Sequence, residues 1–407
     1  MNCRHCGHAL TFPFLDLGFA PPSNAYLTHD DLARPERYYP LKLFVCDACW
    51  LVQTEDFAAR ETLFDADYAY FSSVSESWLA HARHYASTII DELSLGQDSF
   101  VIEVAANDGY LLRNFVAAQI PCLGIEPTAS TAARAEQLGI PVLREFFGEQ
   151  LAQSLAAQGP RADLIIGNNV FAHVPDVNDF AAGLRTMLKP GGTVTLEFPH
   201  LVNLLHEVQF DTVYHEHFSY LSLHAVEHIF RVTGLRVCRV EQLKTHGGSL
   251  RVYACHADDP RADDPSVERI RGLELAHGIT RLDTYRHFQQ RVDEAKNGLL
   301  RFLLECKERG LKVVGYGAAA KGNTLLNYAG VKPDLLPFVC DAAPSKQGKF
   351  MPGSHIPIVS PSDLARAKPD IVLILPWNIS DEVLAQQAGV LGSEVRFAVA
   401  MPSVRYL

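Results

Sequence analysis

The stretch "SFVIEVAANDGYLLRNFVAAQ", residues 99–119, decides the fold class. A short apolar run ends at Glu103, small and polar residues follow through Gly109, and apolar residues then return at helical spacing. That order predicts a buried strand, a tight turn and a helix. "PCLGIEPTASTAARAEQLG" (121–139) and "ADLIIGNNVFAHVPDVNDFAAGLRTMLKPGG" (162–192) repeat it. "GTVTLEFP", "GLRVCRVEQL" and "GSLRVYACH" read as further strands of the same sheet. Alternating strand and helix predict a parallel sheet covered on both faces.

Three domains are expected. Residues 1–65 are rich in turn residues and carry two C-x-x-C pairs, Cys3/Cys6 and Cys46/Cys49. Four thiolates in two such knuckles suit one tetrahedral zinc ion, and with every position filled by sulfur the metal is structural. Residues 66–255 hold the α/β pattern. Residues 256–407 open on the acidic, proline-containing "DDPRADDPSVERI", continue in one long polar helix, and end in a second, smaller α/β unit around "KVVGYGAAAKGNTLLNYAG".

At 407 residues, with 36 basic against 47 acidic side chains and a formal charge of -11, the chain has ample core material and no basic stripe. Nucleic acid and anionic membranes are therefore not expected as partners. No apolar run reaches spanning length and "MNCRHCGHAL" is polar, so a cytoplasmic location is expected. The five remaining cysteines follow no disulfide pattern, in keeping with a reducing compartment.

Ala105, Asn107 and Gly109 lie where a ligand can approach the backbone at a helix start. Glu103 ends the strand before them, Glu126 ends the next and is placed to hold a ribose diol, and Asn168 and Asn169 end the third. Together they describe a nucleoside-bearing cofactor across the carboxyl ends of the strands, in an order that resembles S-adenosylmethionine-dependent methyltransferases. NAD is the rival, but its G-x-G-x-x-G is absent here. In the last segment Gly315 and Gly317 begin such a motif, with Asp341 after the next strand, so a dinucleotide reading stays open there. Lys321 beside glycine-lined amides suits a pyrophosphate instead, with Lys346 and Lys349 as further cations.

"DTVYHEHFSYLSL" (211–223) concentrates proton-handling groups. On a helix His215 and His217 lie apart rather than together as metal ligands would, and H-E-x-x-H is absent. Tyr214 and His217, three apart, would share a helical face beside Glu216, the makings of a base, a phenol for developing charge and a carboxylate to orient an imidazole. His215 is read as structural.

"CRHCG", "LDLGFAPPSNAYL", "CDACWLVQ", "YAYFSSVSESW", "VIEVAANDGYLL", "NNVFAHVPD", "VYHEHFSYLSL" and "GYGAAAKGNTLLN" together closely resemble the sugar C-methyltransferases that make branched deoxysugars of the tetronitrose type, over almost the full chain. The resemblance implies a zinc-binding amino-terminal domain, a methyltransferase core and a carboxy-terminal Rossmann-like domain without NAD. It also implies methylation at C3 of a nucleotide-linked 4-keto-6-deoxysugar, usually the thymidine diphosphate, bound between the domains; separately, a monomer is expected. On that basis His217 is the expected base with Glu216 orienting it, and Tyr214, Tyr68 and His173 are candidates for the C4 oxygen and sugar. Lys321, Gly317 and Asn323 are the expected substrate-binding set. Ketoreduction, O- or N-methylation, and an inactive zinc-dependent scaffold are the competing readings.

Overall fold

A computed structural model describes residues 1–57 and 71–407. The predicted strand, turn and helix at 99–119 are present as the strand Val101–Val104, the turn after it and the helix Leu112–Ala117. They belong to a seven-stranded sheet ordered Leu235–Leu243, Ser249–His256, Leu188–Pro199, Ala162–Asn168, Val101–Val104, Cys122–Ile125, Val142–Leu143. The last five strands are parallel, and the first two form an antiparallel hairpin on one edge. From Val101–Val104 the chain winds outward in one direction, then returns to build the other half from Ala162–Asn168. A crevice opens where the winding reverses, at the carboxyl ends of those two strands.

The carboxy-terminal sheet has six strands in the order Ile358–Val359, Val339–Cys340, Val313–Tyr316, Ile371–Ile374, Arg396–Val399, Arg405–Tyr406, all parallel but the last. Its winding reverses between Val313–Tyr316 and Ile371–Ile374, so Gly317 and Pro376 meet there. The left-handed φ of Gly317 (88°) and a Cβ that would come within 2.4 Å of Pro376 Cδ both require glycine.

The expected single helix after residue 264 is instead three, Pro265–Ala276, Leu282–Arg286 and Phe288–Glu308. Gly278 takes a left-handed φ of 69°, and the buried Tyr285 hydroxyl donates to the Ile279 carbonyl at 2.7 Å, fixing the break.

The amino-terminal sheet is antiparallel and runs Pro13–Ala20, Tyr39–Val45, Val52–Gln53, Ser219–Tyr220. Its last strand comes from the middle of the chain, directly after His217. One face of this sheet shares a core with the carboxy-terminal domain: Phe14 lies 5.0 Å from Tyr285 and 5.8 Å from Phe288, ring centre to ring centre.

Candidate active site

The four expected zinc ligands converge. The sulfurs of Cys3, Cys6, Cys46 and Cys49 all lie within 4.8 Å of one another, with Cys3–Cys49 at 3.5 Å and Cys6–Cys46 at 3.6 Å. A tetrahedral S4 zinc with bonds of about 2.3 Å needs sulfurs about 3.8 Å apart, so the donor set fits that ion. It is the one cluster of three or more metal-ligating side chains among the described residues. The knuckle also reaches the core domain. Arg4 donates to the carbonyls of Pro175 (2.8 Å) and Thr54 (2.9 Å), and His5 Nδ1 meets Asn178 Oδ1 at 2.8 Å.

At the crevice of the central sheet, the turn after Glu103 is left-handed at three of the expected positions, Ala105 (φ 57°), Asn107 (φ 49°) and Gly109 (φ 77°). Left-handed backbone strains any residue except glycine, and the turn's amides fold inward, Ala105 donating to the Ile125 carbonyl at 2.8 Å and Gly109 to the Ala106 carbonyl at 3.0 Å. Glu126 closes the turn, its carboxylate accepting the amides of Asn107 and Thr128, both at 2.9 Å. Asn169 is also left-handed (φ 54°). Around this crevice the buried polar atoms go unpaired: both oxygens of Glu103, one of Asp108, both side-chain polar atoms of Asn168 and Oδ1 of Asn169. Burial, with Asp108 and Glu126 nearby, pushes the Glu103 carboxyl well above its usual range. These unpaired donors and acceptors fit the amino acid and ribose ends of S-adenosylmethionine.

The proton-handling segment turns rather than coils. Residues 210–212 form a helical turn, and the amide of His217 donates to the Tyr214 carbonyl at 2.9 Å, closing a tight turn. The expected helical face does not exist, yet the turn still stacks Tyr214 on His217 with ring centres 4.0 Å apart. His173, at the end of the short helix Phe171–His173, meets His217 edge-on at 4.6 Å.

Each imidazole donates through Nδ1 to a carbonyl that can only accept, His217 to Thr212 (3.0 Å) and His173 to Glu216 (2.8 Å). His217 therefore exposes a lone pair at Nε2. Burial, then the neighbouring His173 and more distantly Lys321 and His246, holds His217 well below its ordinary pKa, and burial lowers His173 to about 4. Both are neutral.

The orienting partner of His217 is thus the Thr212 carbonyl, not the Glu216 carboxylate that the sequence suggested. Glu216 is turned to the amino-terminal domain, where both oxygens accept the Asn24 amide at 2.8 and 2.9 Å. His215 directs Nε2 to the carbonyls of Tyr39 and Pro40, in keeping with a structural role. Tyr68 lies outside the described residues.

Of the expected substrate-binding set, Gly317 packs on Pro376 and the buried Asn323 donates its amide to the Ser23 carbonyl. Lys321 reaches the other way, donating to Asn378 Oδ1 at 2.8 Å with its ammonium 4.8 Å from the Trp377 ring centre. Burial lowers it to about 8, while Asp211 opposes the shift. Asp341, in the position a dinucleotide ribose would use, is engaged by the Ala318 amide (2.7 Å), the Ala343 amide (2.8 Å) and Lys346 (3.5 Å). The Tyr26 hydroxyl covers the Ala318 carbonyl of the same turn.

Two groups at this junction escaped the sequence reading. His246 is left-handed (φ 53°), meets the Asn169 amide at 3.3 Å and packs edge-on to Trp78 at 5.1 Å. Burial lowers it to about 4. Asp211 is fully buried with Oδ2 on the Trp377 indole, and burial raises it to about 6. The doublet Gly247-Gly248 was the available signal: a Cβ on Gly247 would meet Trp377 at 2.3 Å, and one on Gly248 would meet Asn203 at 2.1 Å.

Comparison with known proteins follows the same partition. Family models match residues 3–64 ("Putative zinc binding domain"), 78–240 ("Methyltransferase domain") and 244–402 ("C-methyltransferase C-terminal domain"). The C-methyltransferase NovU of Streptomyces niveus is 33% identical over 406 residues, covering 100% of this chain and 96% of its own. Solved structures similar to part of the chain include magnesium protoporphyrin IX methyltransferase from Synechocystis with bound S-adenosylmethionine, at 14% identity and TM-score 0.35 over 49% of this chain and 99% of that one. Another is the PH0226 protein of Pyrococcus horikoshii, at 13% identity and TM-score 0.39 over 46% of this chain and 95% of that one. With a full-length relative at this identity and three successive domains matched, the chain belongs to the C-methyltransferase family.

Proposed function

We propose that the protein removes the C3 proton of a nucleotide-linked 4-keto-6-deoxysugar, the thymidine diphosphate by preference, and methylates the resulting enolate. The observation that carries this reading is the tautomer of His217. Its Nδ1 is committed to the Thr212 carbonyl, leaving a bare Nε2 beside Tyr214 and His173.

S-adenosylmethionine, when bound, supplies an electrophilic methyl group. Asn107, Glu126, Asn168, Asn169 and the backbone of 105–109 would hold it. The chain's own task is to make carbon nucleophilic. A C4 ketone acidifies the hydrogens on the adjacent carbons, and a neutral imidazole can remove one only if the oxygen's growing charge is also met. Tyr214 is the described phenol beside the base, and Tyr68 is a further candidate.

His217→Asn should reduce turnover of thymidine-diphosphate 4-keto-6-deoxyglucose with labelled methyl donor by about 10²–10⁴-fold, the usual worth of a general base. Turnover at the wild-type rate removes His217 from the role. Deuterium exchange without methyl donor, located by NMR, distinguishes C3 from C5, and the methyl carbon shift of the product separates C- from O- or N-methylation. The ketoreductase reading is disfavoured by the engagement of Asp341, Ala318 and Tyr26 around the G-x-G turn. NADPH binding in a fluorescence titration would restore it.

A further inference from the structure

The helix Ala320–Ala329 is docked against the segment that carries the proposed base. Thr324, one turn along from Lys321 and so on the same face, donates its hydroxyl to the Val213 carbonyl at 2.8 Å. Two residues earlier Asp211 receives the Trp377 indole at 2.7 Å, and Lys321 lies over that indole with its ammonium on Asn378. The half-buried side chain therefore lies against the Trp377–Asn378 turn, whose indole is held by Asp211. Among the described residues no carboxylate comes within ion-pair distance of it. A partly desolvated ammonium without a paired anion is costly and suits an anionic ligand atom.

We infer that Lys321 faces the C4 oxygen of the sugar and holds the charge created when His217 removes the neighbouring proton, rather than binding the pyrophosphate. This rests on the reaction proposed above. The chemistry favours the location. The enolate oxygen is two bonds from the carbon that gives up its proton, whereas the pyrophosphate phosphorus lies beyond C2, C1 and the glycosidic oxygen. The ammonium also contributes to holding both His217 and His246 in their neutral forms, which places it electrostatically within the same cluster. In the step, His217 Nε2 takes the C3 proton, the C–H pair becomes the C3–C4 double bond, and the carbonyl π pair moves onto oxygen. Lys321 meets that oxygen. On methylation the C3–C4 π pair would form the bond to the methyl carbon, the S–CH3 pair would stay on the departing sulfur, the oxygen's pair would re-form the carbonyl, and the imidazolium would release its proton to solvent.

The test uses the full chain with Lys321→Gln and Lys321→Arg. Thymidine diphosphate binding by calorimetry reports both folding and pyrophosphate recognition. Deuterium uptake at C3 without methyl donor reports enolate formation. The expected result for Lys321→Gln is unchanged affinity for thymidine diphosphate with C3 exchange slowed by about 10²–10³-fold, the cost of removing an oxyanion donor. Lys321→Arg should recover part of the exchange and extend activity to higher pH. Exchange at the wild-type rate with weakened thymidine diphosphate binding returns the lysine to the pyrophosphate and overturns the inference alone. Absence of C3 exchange in the wild-type chain overturns the proposed reaction and the lysine's role with it.

Discussion

The indole nitrogen of Trp377 donates to Asp211 Oδ2 at 2.7 Å, joining the carboxy-terminal domain to the segment that ends in His217. The other oxygen of Asp211 is buried and unpaired, so its charge acts at a distance on Lys321.

That field gives a pH prediction. Burial lowers Lys321 to about 8 and Asp211 raises it against that trend. Activity that needs the ammonium should fall as pH rises through about 8. Asp211→Asn removes the opposing charge, so the alkaline limb of kcat should move to lower pH. An unmoved limb in the variant's pH–rate profile contradicts the assignment.

Acid should destabilise the fold in two overlapping windows. Burial lowers His173 and His246 from 6.5 to about 4, so below 6.5 the unfolded chain takes up protons that the folded chain refuses. Their contribution is present above 6.5 and is lost as pH falls to about 4. Burial alone would raise Glu197, but His81 and Arg251 hold it at about 2, so its stabilisation fades between its ordinary 4.5 and that value. Urea midpoints measured from pH 7 to 4 should decline steadily, and a flat profile over that range contradicts the histidine assignments.

Zinc loss should be felt at the active site as well as in the amino-terminal sheet. The knuckle holds Thr54 and Pro175 through Arg4, and Thr54 in turn donates to the His217 carbonyl at 3.1 Å. Cys46→Ala should remove the single ion from the native mass spectrum and lower both Tm and C3 exchange. Full exchange in the metal-free chain contradicts this coupling.

The strained turn predicts opposite outcomes at one position. Ala105 at φ 57° bears a left-handed cost of about 1–2 kcal/mol that glycine would relieve. Ala105→Gly should be near neutral, because glycine's larger unfolded-state entropy offsets the gain. Ala105→Val should lower stability by about 1–2 kcal/mol and weaken S-adenosylmethionine binding, since a β-branched residue tolerates that backbone least. Equal stability of the two variants in urea unfolding rules out the strain.

Local patterns were readable wherever chemistry and spacing coincide in sequence. The thiolate pairs, the strand–turn–helix at 99–119 and the small-residue turn at Ala105–Asn107–Gly109 all follow from residue type. Pairings across long separations were not. Nothing near Glu216 in sequence points to Asn24, 192 residues away, and nothing near Asp211 points to Trp377, 166 residues away. Tyr214 and His217 were paired for the wrong local reason, because positions three apart meet in a tight turn as they do on a helix. The long helix failed at Gly278, where one left-handed residue outweighed a continuous polar pattern.

The shared core of the first and last domains bears on exchanging parts between relatives to alter sugar preference. Phe14 packs on Tyr285 and Phe288, Leu27 pairs with Phe350, and Asn323 is tied to Ser23, so the carboxy-terminal unit is finished by residues near the start of the chain. A chimera cut once near residue 256 would join two halves that evolved different counterparts. A graft that keeps its own packing has two seams, and carries residues 12–45 along with the carboxy-terminal domain.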